Sequence, residues 1–243
     1  MALIAYDSVD AAAFEAARHL TDDGLAAWRN AISRHLTPRP GMRLLDLGSG
    51  TGAWARAFTT WYTGIEVVAV EPSEPMRTRS VYQPVTPGDA EHIPLDDDSL
   101  DAAWMSTVIH HVPDLAAAAL ELRRVLRPGA PLLIRSAFAG RHEAITLFTY
   151  FPEAVRVLDT FPSLADVETA FAVAGFNIVS CEQVPQTTAT SLHEAASTLR
   201  REAHTPLQLI SDHDFAVGLA RLHKAARTHR GPVIDALDLL VLR

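Results

Sequence analysis

Between residues 42 and 136, short apolar runs alternate with stretches in which apolar residues recur every three or four positions. The short runs indicate buried strands, and the three- and four-residue spacing indicates amphipathic helices. Such alternation predicts an α/β domain whose largely parallel sheet carries helices on both faces. The pattern predicts strands over 42–48, 65–71, 84–87, 101–107 and 131–136 and helices over 52–60, 73–80 and 114–126.

The regions on either side of this core follow looser patterns. Residues 7–36 have apolar positions at mixed three- and four-residue spacing, which predicts helices. Beyond the core, a long polar insertion separates the last two predicted strands, and an insertion at the ligand-binding end of a sheet is typical of a lid. The pattern there predicts a helix over 163–174, strands over 176–182 and 237–242, and a mostly helical insertion over 186–230.

Composition narrows the classes of function. A chain of 243 residues, 48% of them hydrophobic, can bury a sizeable core in one domain. Its net charge of −8 gives little attraction for phosphates, so we expect no nucleic-acid partner. No apolar run approaches the roughly 18 residues of a membrane span, and the N-terminus lacks a signal-peptide pattern. We therefore expect a cytoplasmic protein without a membrane partner.

Other residue counts bear on metals and origin. Cys181 is the single cysteine, which excludes an internal disulfide and a cysteine-only zinc site. The run Asp96-Asp97-Asp98 lies in a predicted turn, where solvated carboxylates are the expected interpretation, so no metal is predicted. Lys224 is the only lysine, and this preference for arginine indicates a high-GC bacterial genome.

A glycine-rich loop is the most informative segment of the chain. In Leu44-Leu45-Asp46-Leu47-Gly48-Ser49-Gly50-Thr51-Gly52, three alternate glycines join a predicted strand to a predicted helix. Glycine has no Cβ, so a ligand can lie on the backbone, and the helix presents free N–H groups to it. Glu71 follows about 20 residues later at the end of the next strand, which suits a carboxylate that binds the ribose hydroxyls of an adenosine cofactor.

Asp46 distinguishes two classes of adenosine cofactor. Gly48-x-Gly50-x-x-Ala53 also satisfies a loose dinucleotide pattern. A pyrophosphate about 5 Å from the Asp46 carboxylate would be repelled by roughly 3 kcal/mol at an effective dielectric constant near 20. S-adenosylmethionine has no phosphate and carries an ammonium and a sulfonium, which Asp46 favours. The alternative is that Asp46 only caps backbone N–H groups of the loop.

With its glycine loop, Asp46 and Glu71, the chain resembles the class I S-adenosylmethionine-dependent methyltransferases, in particular the small-molecule branch similar to the ubiquinone/menaquinone C-methyltransferases. The resemblance covers about residues 40–136. One departure is Ala130, where the family often has a second glycine, and it touches no cofactor contact. Besides the glycine loop, the segments that resemble family motifs are 67–73, 88–95, 98–104, 108–112 and 121–130.

The resemblance implies a fold and a ligand set. It implies a Rossmann-like sheet of seven strands, mostly parallel, with an antiparallel last strand and a helical lid insertion. The cofactor would be S-adenosyl-L-methionine, with S-adenosyl-L-homocysteine as product and a small-molecule acceptor as partner. Glycines 48, 50 and 52 would hold the methionine portion, Glu71 the ribose, and Asp89 with Ala90 the adenine. The full set of expected cofactor-binding residues is Tyr6, Asp46, Gly48, Ser49, Gly50, Gly52, Glu71, Pro72, Met76, Asp89, Ala90, Glu91 and Ser106.

The acceptor side is less determined by sequence. His110 and His111 follow the fourth strand, beside the expected methyl position, and a histidine with a pKa near 6.5 can accept a proton at neutral pH. Either histidine is a candidate catalytic base, or the pair only shapes the pocket. Arg135 can clamp an acceptor carboxylate or phosphate, or pair with a pocket acid. Arg141, His142, Tyr150 and Phe151 are candidates for the acceptor pocket, or for packing within the lid.

We therefore expect a single methyltransferase domain, active as a monomer or homodimer, that methylates a small molecule in bacterial secondary metabolism. Three alternatives stay open: a cyclisation or rearrangement that uses the same cofactor without methyl transfer, a binding module without activity, and a dinucleotide oxidoreductase. Within the domain, residues 1–40 would form N-terminal helices, 41–136 the cofactor-binding core, and 137–162 with 186–230 the lid and acceptor pocket.

Overall fold

The computed structural model describes Ala12 and residues 24–243. Tyr6 and most of the predicted N-terminal helical region lie outside the described residues. In the described part of the predicted helical region 7–36, a helix, α1, spans Ala26–Leu36.

Seven strands form one sheet in the order β3-β2-β1-β4-β5-β7-β6. The first five strands run parallel to one another, and β7 is antiparallel to both β5 and β6. This confirms the predicted fold class. The strands are β1 (Arg43–Leu47), β2 (Glu66–Val70), β3 (Val85–Thr86), β4 (Ala102–Ser106), β5 (Leu132–Ser136), β6 (Ile178–Ala189) and β7 (Val233–Leu242).

Helices follow the strands at nearly the predicted positions. In the part of the chain that the structure describes, no helix is long and apolar enough to cross a membrane. After α1 the helices are α2 (Ala53–Trp61), α3 (Glu74–Thr78), α4 (Leu115–Val125), α5 (Thr146–Tyr150), α6 (Val155–Leu158), α7 (Leu164–Ala172), α8 (Leu192–Thr198), α9 (Thr205–Gln208) and α10 (Asp212–Ala226), with short 3-10 turns at Ile109–His111, Pro152–Ala154 and Arg201–Ala203.

Side chains alternate along each strand, so the sheet has two buried faces. On one face, residues such as Leu45 and Ile134 pack against α4 and α7. On the other face, Leu44 and Trp104 pack against α1 and α2. The second face is unusually aromatic, since the Trp104 ring lies 4.8 Å from Trp54 and 6.3 Å from Trp28 between ring centroids. This aromatic cluster fixes α1 and α2 on the sheet.

The last two strands are longer than the sequence pattern predicts. The predicted strands cover 176–182 and 237–242, whereas β6 continues to Ala189 and β7 begins at Val233. Asp238 pairs with Ser136 at the end of β5. The added part of β7, which precedes Asp238 in the chain, pairs with β6 alone among the described strands and forms a two-stranded ribbon. Because β6 is an edge strand in which half of the residues are exposed and only two are buried, its sequence lacks the apolar alternation that marks a half-buried strand.

The ribbon carries a helical cap, which we define as residues 146–158 and 190–232. The cap has its own hydrophobic cluster, in which Phe151, Leu158 and Leu222 are buried. Asp235 ties the cap to the ribbon, because its carboxylate accepts the backbone N–H of Thr146 at 2.7 Å, at the start of α5. The cap overlaps the predicted lid insertions 137–162 and 186–230, and β6, which continues to Ala189, takes up the first four residues of the second insertion.

We expect Trp104→Ala to lower the free energy of unfolding by about 3–5 kcal/mol, because it empties the centre of a close-packed aromatic cluster. Urea denaturation measures this loss. Val173→Ala is the control, since Val173 is 70% exposed and its truncation should change stability by less than about 0.5 kcal/mol. A loss below about 1 kcal/mol for Trp104→Ala would show that the cluster does not hold the helices on the sheet.

Candidate functional site

A buried carboxylate joins the glycine loop to the end of β2. Glu71 Oε2 accepts the backbone N–H of Gly50 at 2.9 Å, and Oε1 accepts that of Ser73 at 2.8 Å. Burial raises the pKa of the Glu71 carboxyl, and the two N–H donors oppose that shift. A carboxylate has about four lone-pair sites, so each oxygen can accept a further hydroxyl. The arrangement leaves Glu71 able to bind a diol beside the loop.

Two glycines of the loop are required by local geometry. Gly48 and Gly52 have φ values of +68° and +78°, in the region that side chains rarely adopt. A Cβ on Gly48 would lie 2.5 Å from Val108 Cγ2, and a Cβ on Gly52 would lie 2.3 Å from Ser80 Oγ. The loop is therefore held against the segments that follow β4 and α3, with its backbone bare.

Asp46 is buried beneath this loop. It is 1% exposed and accepts a hydrogen bond from the backbone N–H of Ala55 in α2. Burial raises its pKa to about 7, the Ala55 N–H lowers it, and the neighbouring Glu71 carboxylate raises it further. This differs from the simple expectation of an ionised carboxylate in an open cleft, because the carboxylate points into the protein under the loop. A positive charge brought near would favour its ionised form.

The loop leaves two buried polar atoms unsatisfied. Asp46 Oδ2 and Ser49 Oγ have no hydrogen-bond partner among the described residues. Buried polar atoms are nearly always satisfied by protein, water or ligand. Together with the spare acceptor sites of Glu71, they fit a ligand that offers an ammonium and a ribose. They fit a pyrophosphate poorly, since its charge would meet two buried carboxylates.

The residues expected around an adenine have mixed roles. Met76 and Ala90 are buried, while Pro72 is exposed. Asp89 Oδ1 accepts the backbone N–H of Glu91 at 2.9 Å and so closes its own turn. The Glu91 carboxylate accepts the N–H of Asp114 just before α4, at 3.1 Å, which is a structural contact. Adenine contacts of these residues stay a prediction.

Arg135 lies at the end of β5, opposite Ser106 of β4. Its guanidinium donates to Ser106 Oγ at 3.3 Å and to Gln186 Oε1 at 3.1 Å. The same group lies 4.9 Å from the ring centroid of Trp28 and 5.5 Å from that of Trp54, which is cation–π geometry. Arg135 is thus a buried cation held in one orientation by polar and aromatic neighbours.

The two histidines form a short 3-10 turn after β4. The His110 ring stacks on Phe161 with centroids 4.1 Å apart and planes 3° apart, and the His111 ring lies 4.1 Å from His110. Burial lowers the pKa of His111 to about 4, so its imidazole is neutral at pH 7 and weakly basic. The expectation of a pKa near 6.5 is therefore corrected for His111, because desolvation penalises the charged ring.

A cavity of about 330 Å³ lies between the sheet ends and the cap. Its polar lining includes Thr107, His110 and Arg135, which follow or end β4 and β5. The rest of the described wall is mostly apolar, which is typical of a small-molecule site. The largest apolar side chains of that wall are Trp28, Trp54, Phe148, Phe151 and Phe161.

Four residues were predicted to form an acceptor pocket, and the structure separates them. Tyr150 and Phe151 line the cavity. Arg141 instead makes two hydrogen bonds of 2.7 Å to the buried carboxylate of Asp238 on β7. His142 packs edge-on against Phe148, with centroids 6.0 Å apart, and is not part of the cavity wall. For Arg141 the reason is its acidic partner, which lies 97 residues further along the chain.

Several residues that line the cavity carry no signal in the sequence. Trp28 and Trp54 lie in helices whose apolar faces signal only a buried side. Gln186 was placed in the helical insertion, whereas it lies on the extended part of β6. No local pattern identifies such residues. As for metals, the described residues contain no group of three His, Cys, Asp or Glu side chains arranged to hold an ion.

Comparison with known proteins identifies methyltransferases as relatives of this chain. The model of a family described as "Methyltransferase domain" matches residues 45–134. The malonyl-[acyl-carrier protein] O-methyltransferase of Serratia marcescens is 31% identical over 177 residues, which are 70% of this chain and 69% of that protein. The demethylmenaquinone methyltransferase of Corynebacterium kroppenstedtii is 34% identical over 111 residues, covering 44% of this chain. The chain spans about half of that second relative, 47% of its length.

One solved structure of similar fold is a protein from Anabaena variabilis, titled as a putative methyltransferase from an antibiotic biosynthesis pathway. The two structures superpose with a TM-score of 0.70 and 23% sequence identity, and the match covers 90% of this chain and 97% of the Anabaena variabilis protein. At this identity the likeness shows the fold.

We expect Asp238→Asn to lower the free energy of unfolding by roughly 2–3 kcal/mol, which is at or below the lower limit of the about 3–5 kcal/mol for a broken buried ion pair, because Arg141 keeps partial access to water. Its affinity for S-adenosylmethionine should be unchanged if the pair is structural. Chemical denaturation and calorimetry measure the two effects. Arg156→Met removes the more exposed Arg156–Asp214 pair and should cost less than about 1 kcal/mol. A stable Asp238→Asn variant that loses activity would return Arg141 to the functional site.

Proposed function

Because the chain belongs to the class I S-adenosylmethionine-dependent methyltransferases, with S-adenosylmethionine as its cofactor, we propose that it methylates a small, largely apolar acceptor held in the cavity beneath the cap. The observation that carries the proposal is the position of this cavity. Thr107 and His110 follow β4, the strand beside β1, and line the cavity, while the glycine loop follows β1 itself. The two binding regions therefore lie together at the carboxyl ends of the parallel strands, as methyl transfer between them requires.

The cofactor residues have distinct proposed roles. Gly48, Gly50 and Gly52 present bare backbone to the methionine portion, Asp46 and Ser49 receive its ammonium end, and Glu71 holds the ribose. Met76 packs on the adenine, with Asp89 and Ala90 at its edge. When bound, the cofactor supplies a methyl group on a sulfonium, and the methyl–sulfur bond breaks as a bond to the acceptor forms.

The cavity wall is proposed to bind and orient the acceptor. Its apolar side chains exclude water and align the acceptor, which is most of what an in-line displacement needs. Between the two histidines, His110 lines the cavity, so we assign to it the contact with the acceptor and any uptake of a proton. His111 supports the turn as a neutral ring. Arg135 is proposed to orient a polar or anionic group of the acceptor, as its two hydrogen bonds fix the guanidinium at the cavity wall.

The setting that we propose is bacterial secondary metabolism in the cytoplasm, with the protein acting as a monomer or homodimer and without a nucleic-acid partner. The relatives act, by their names, on malonyl-[acyl-carrier protein] and demethylmenaquinone. These two acceptors differ from each other, so neither transfers to this chain. The cap that forms much of the cavity wall lies outside the matched domain segment, in the part where an acceptor is selected.

Product mass tests the proposal. The protein is incubated with S-adenosylmethionine and a panel of apolar acceptors bearing hydroxyl, amine or carboxyl groups, and products are analysed by mass spectrometry. A gain of one methylene unit together with S-adenosylhomocysteine supports methyl transfer. A converted acceptor of unchanged mass would instead favour a cofactor-dependent cyclisation or rearrangement.

We expect Glu71→Gln to weaken S-adenosylmethionine binding at least 10-fold, since hydrogen bonds to a charged group contribute roughly 1.5–3 kcal/mol. Isothermal titration calorimetry measures the affinity. Glu74→Gln is a matched control on the neighbouring helix, because Glu74 is exposed and outside the loop contacts. Equal affinities of the Glu71→Gln variant and the wild type would remove the ribose assignment.

The raised pKa of Asp46 predicts that cofactor binding releases protons. With a pKa of about 7, Asp46 is about half protonated at pH 7 in the free protein. A bound ammonium favours the carboxylate, so affinity should rise with pH from 6 to 8, by at most about 10-fold per unit. Calorimetry in two buffers of different ionisation enthalpy should detect release of about half a proton at pH 7.

Asp46→Asn should bind more weakly and without this pH dependence between pH 6 and 8. Proton release that persists in Asp46→Asn would assign it to another group.

A further inference from the structure

The longest helix of the cap contains a buried glycine. Gly218 lies in the middle of α10, with helical backbone rather than the positive φ that would require glycine. Glycine inside a helix costs about 1 kcal/mol relative to alanine. The space that a Cβ would fill is occupied by Phe151, whose Cδ1, Cε1 and Cγ would lie 2.1, 2.5 and 2.9 Å from it. The helix thus accepts an unfavourable residue where an aromatic ring needs room.

The ring that occupies this space is part of the cavity wall. Phe151 is fully buried and lines the cavity. Behind it, the ring stacks on Phe215 with centroids 5.8 Å apart and planes 24° apart. Phe215, Gly218 and Leu222 are three and four residues apart, so they share one face of α10, and Leu222 also lines the cavity. Phe151 therefore lies between a rigid helix face and open cavity space.

We propose that Gly218 is a specificity-determining residue that sets the width of the acceptor cavity by allowing Phe151 to withdraw against α10. The inference rests on the proposed function, in which this cavity holds the acceptor. Gly218 itself does not line the cavity. It acts through Phe151 and is therefore a positioning residue.

The direction of the effect follows from packing. Ordinary van der Waals contact with a Cβ begins near 3.4 Å, so alanine at position 218 would require Phe151 Cδ1, now 2.1 Å away, to move by at least about 1.3 Å. Close-packed neighbours resist such a shift, whereas no packed side chain among the described residues opposes the ring on its cavity side. The ring should therefore move into the cavity and narrow it.

Straight-chain 1-alkanols of four to twelve carbons are suitable probes, because they test the apolar volume without needing the natural acceptor. Calorimetry would follow their binding to the wild type, Gly218→Ala, Phe151→Leu and the double variant, each alongside S-adenosylmethionine binding. In the wild type, affinity should rise about fourfold per buried methylene until the cavity is full. Gly218→Ala should weaken the longest bound alkanol at least 10-fold while leaving the shortest nearly unchanged.

The double variant isolates the proposed route. Phe151→Leu should extend the series to longer alkanols, and adding it to Gly218→Ala should restore binding of the alkanol that Gly218→Ala loses. Ala220→Gly is the control for helix propensity, because Ala220 is exposed on α10 and its change should not alter the length limit. An unchanged limit in Gly218→Ala, or a lost alkanol that the double variant does not recover, would overturn the inference.

Two further outcomes separate this inference from the proposed function. Shifted length limits in a protein that binds no S-adenosylmethionine would support the role of Gly218 and contradict the methyl-transfer proposal. Cofactor binding without any alkanol binding in the wild type would overturn the inference and leave the cofactor assignment standing. If Gly218→Ala does not fold, an unchanged limit in Phe151→Leu would overturn it equally.

Discussion

Two backbone N–H groups, those of Gly50 and Ser73, meet on the Glu71 carboxylate. This contact joins the loop after β1 to the turn after β2, so the starts of these two connections are held at a fixed separation. The loop can then stay bare of side chains, because its glycines are clamped from below by Glu71 and from the side by Val108. The binding surface depends on this one buried charge.

A second buried carboxylate gives the loop an electrostatic bias. Burial raises the pKa of both Asp46 and Glu71, and the neighbouring Glu71 carboxylate raises that of Asp46 further. A cation that enters the loop relieves both costs, whereas an anion increases them. On the same aromatic face, the cation of Arg135 lies between tryptophan rings at the cavity wall. The region therefore has a negative end under the glycine loop and a positive end toward the cavity.

The cap is packed separately from the sheet. Its hydrophobic cluster is separate from the two clusters on the faces of the sheet. The cap is attached through the β6–β7 ribbon and the Asp235 contact to the start of α5. Changes in its inner wall, such as those that move Phe151, need not disturb the loop that faces the cofactor. Under the proposed function, cofactor binding and acceptor selection occupy different parts of the chain.

The sequence by itself determined the sheet core, the glycine loop and the position of Glu71 at the end of the next strand, because these depend on local periodicity and on short, fixed intervals along the chain. It determined the class of cofactor for the same reason. Only the tertiary structure decided the fate of residues whose partners are distant. Arg141 meets Asp238 across 97 residues, His111 loses basicity through burial, and β6 extends as an edge strand without an apolar pattern. The cavity and the role of Gly218 arise from packing between separate segments, which no local pattern encodes.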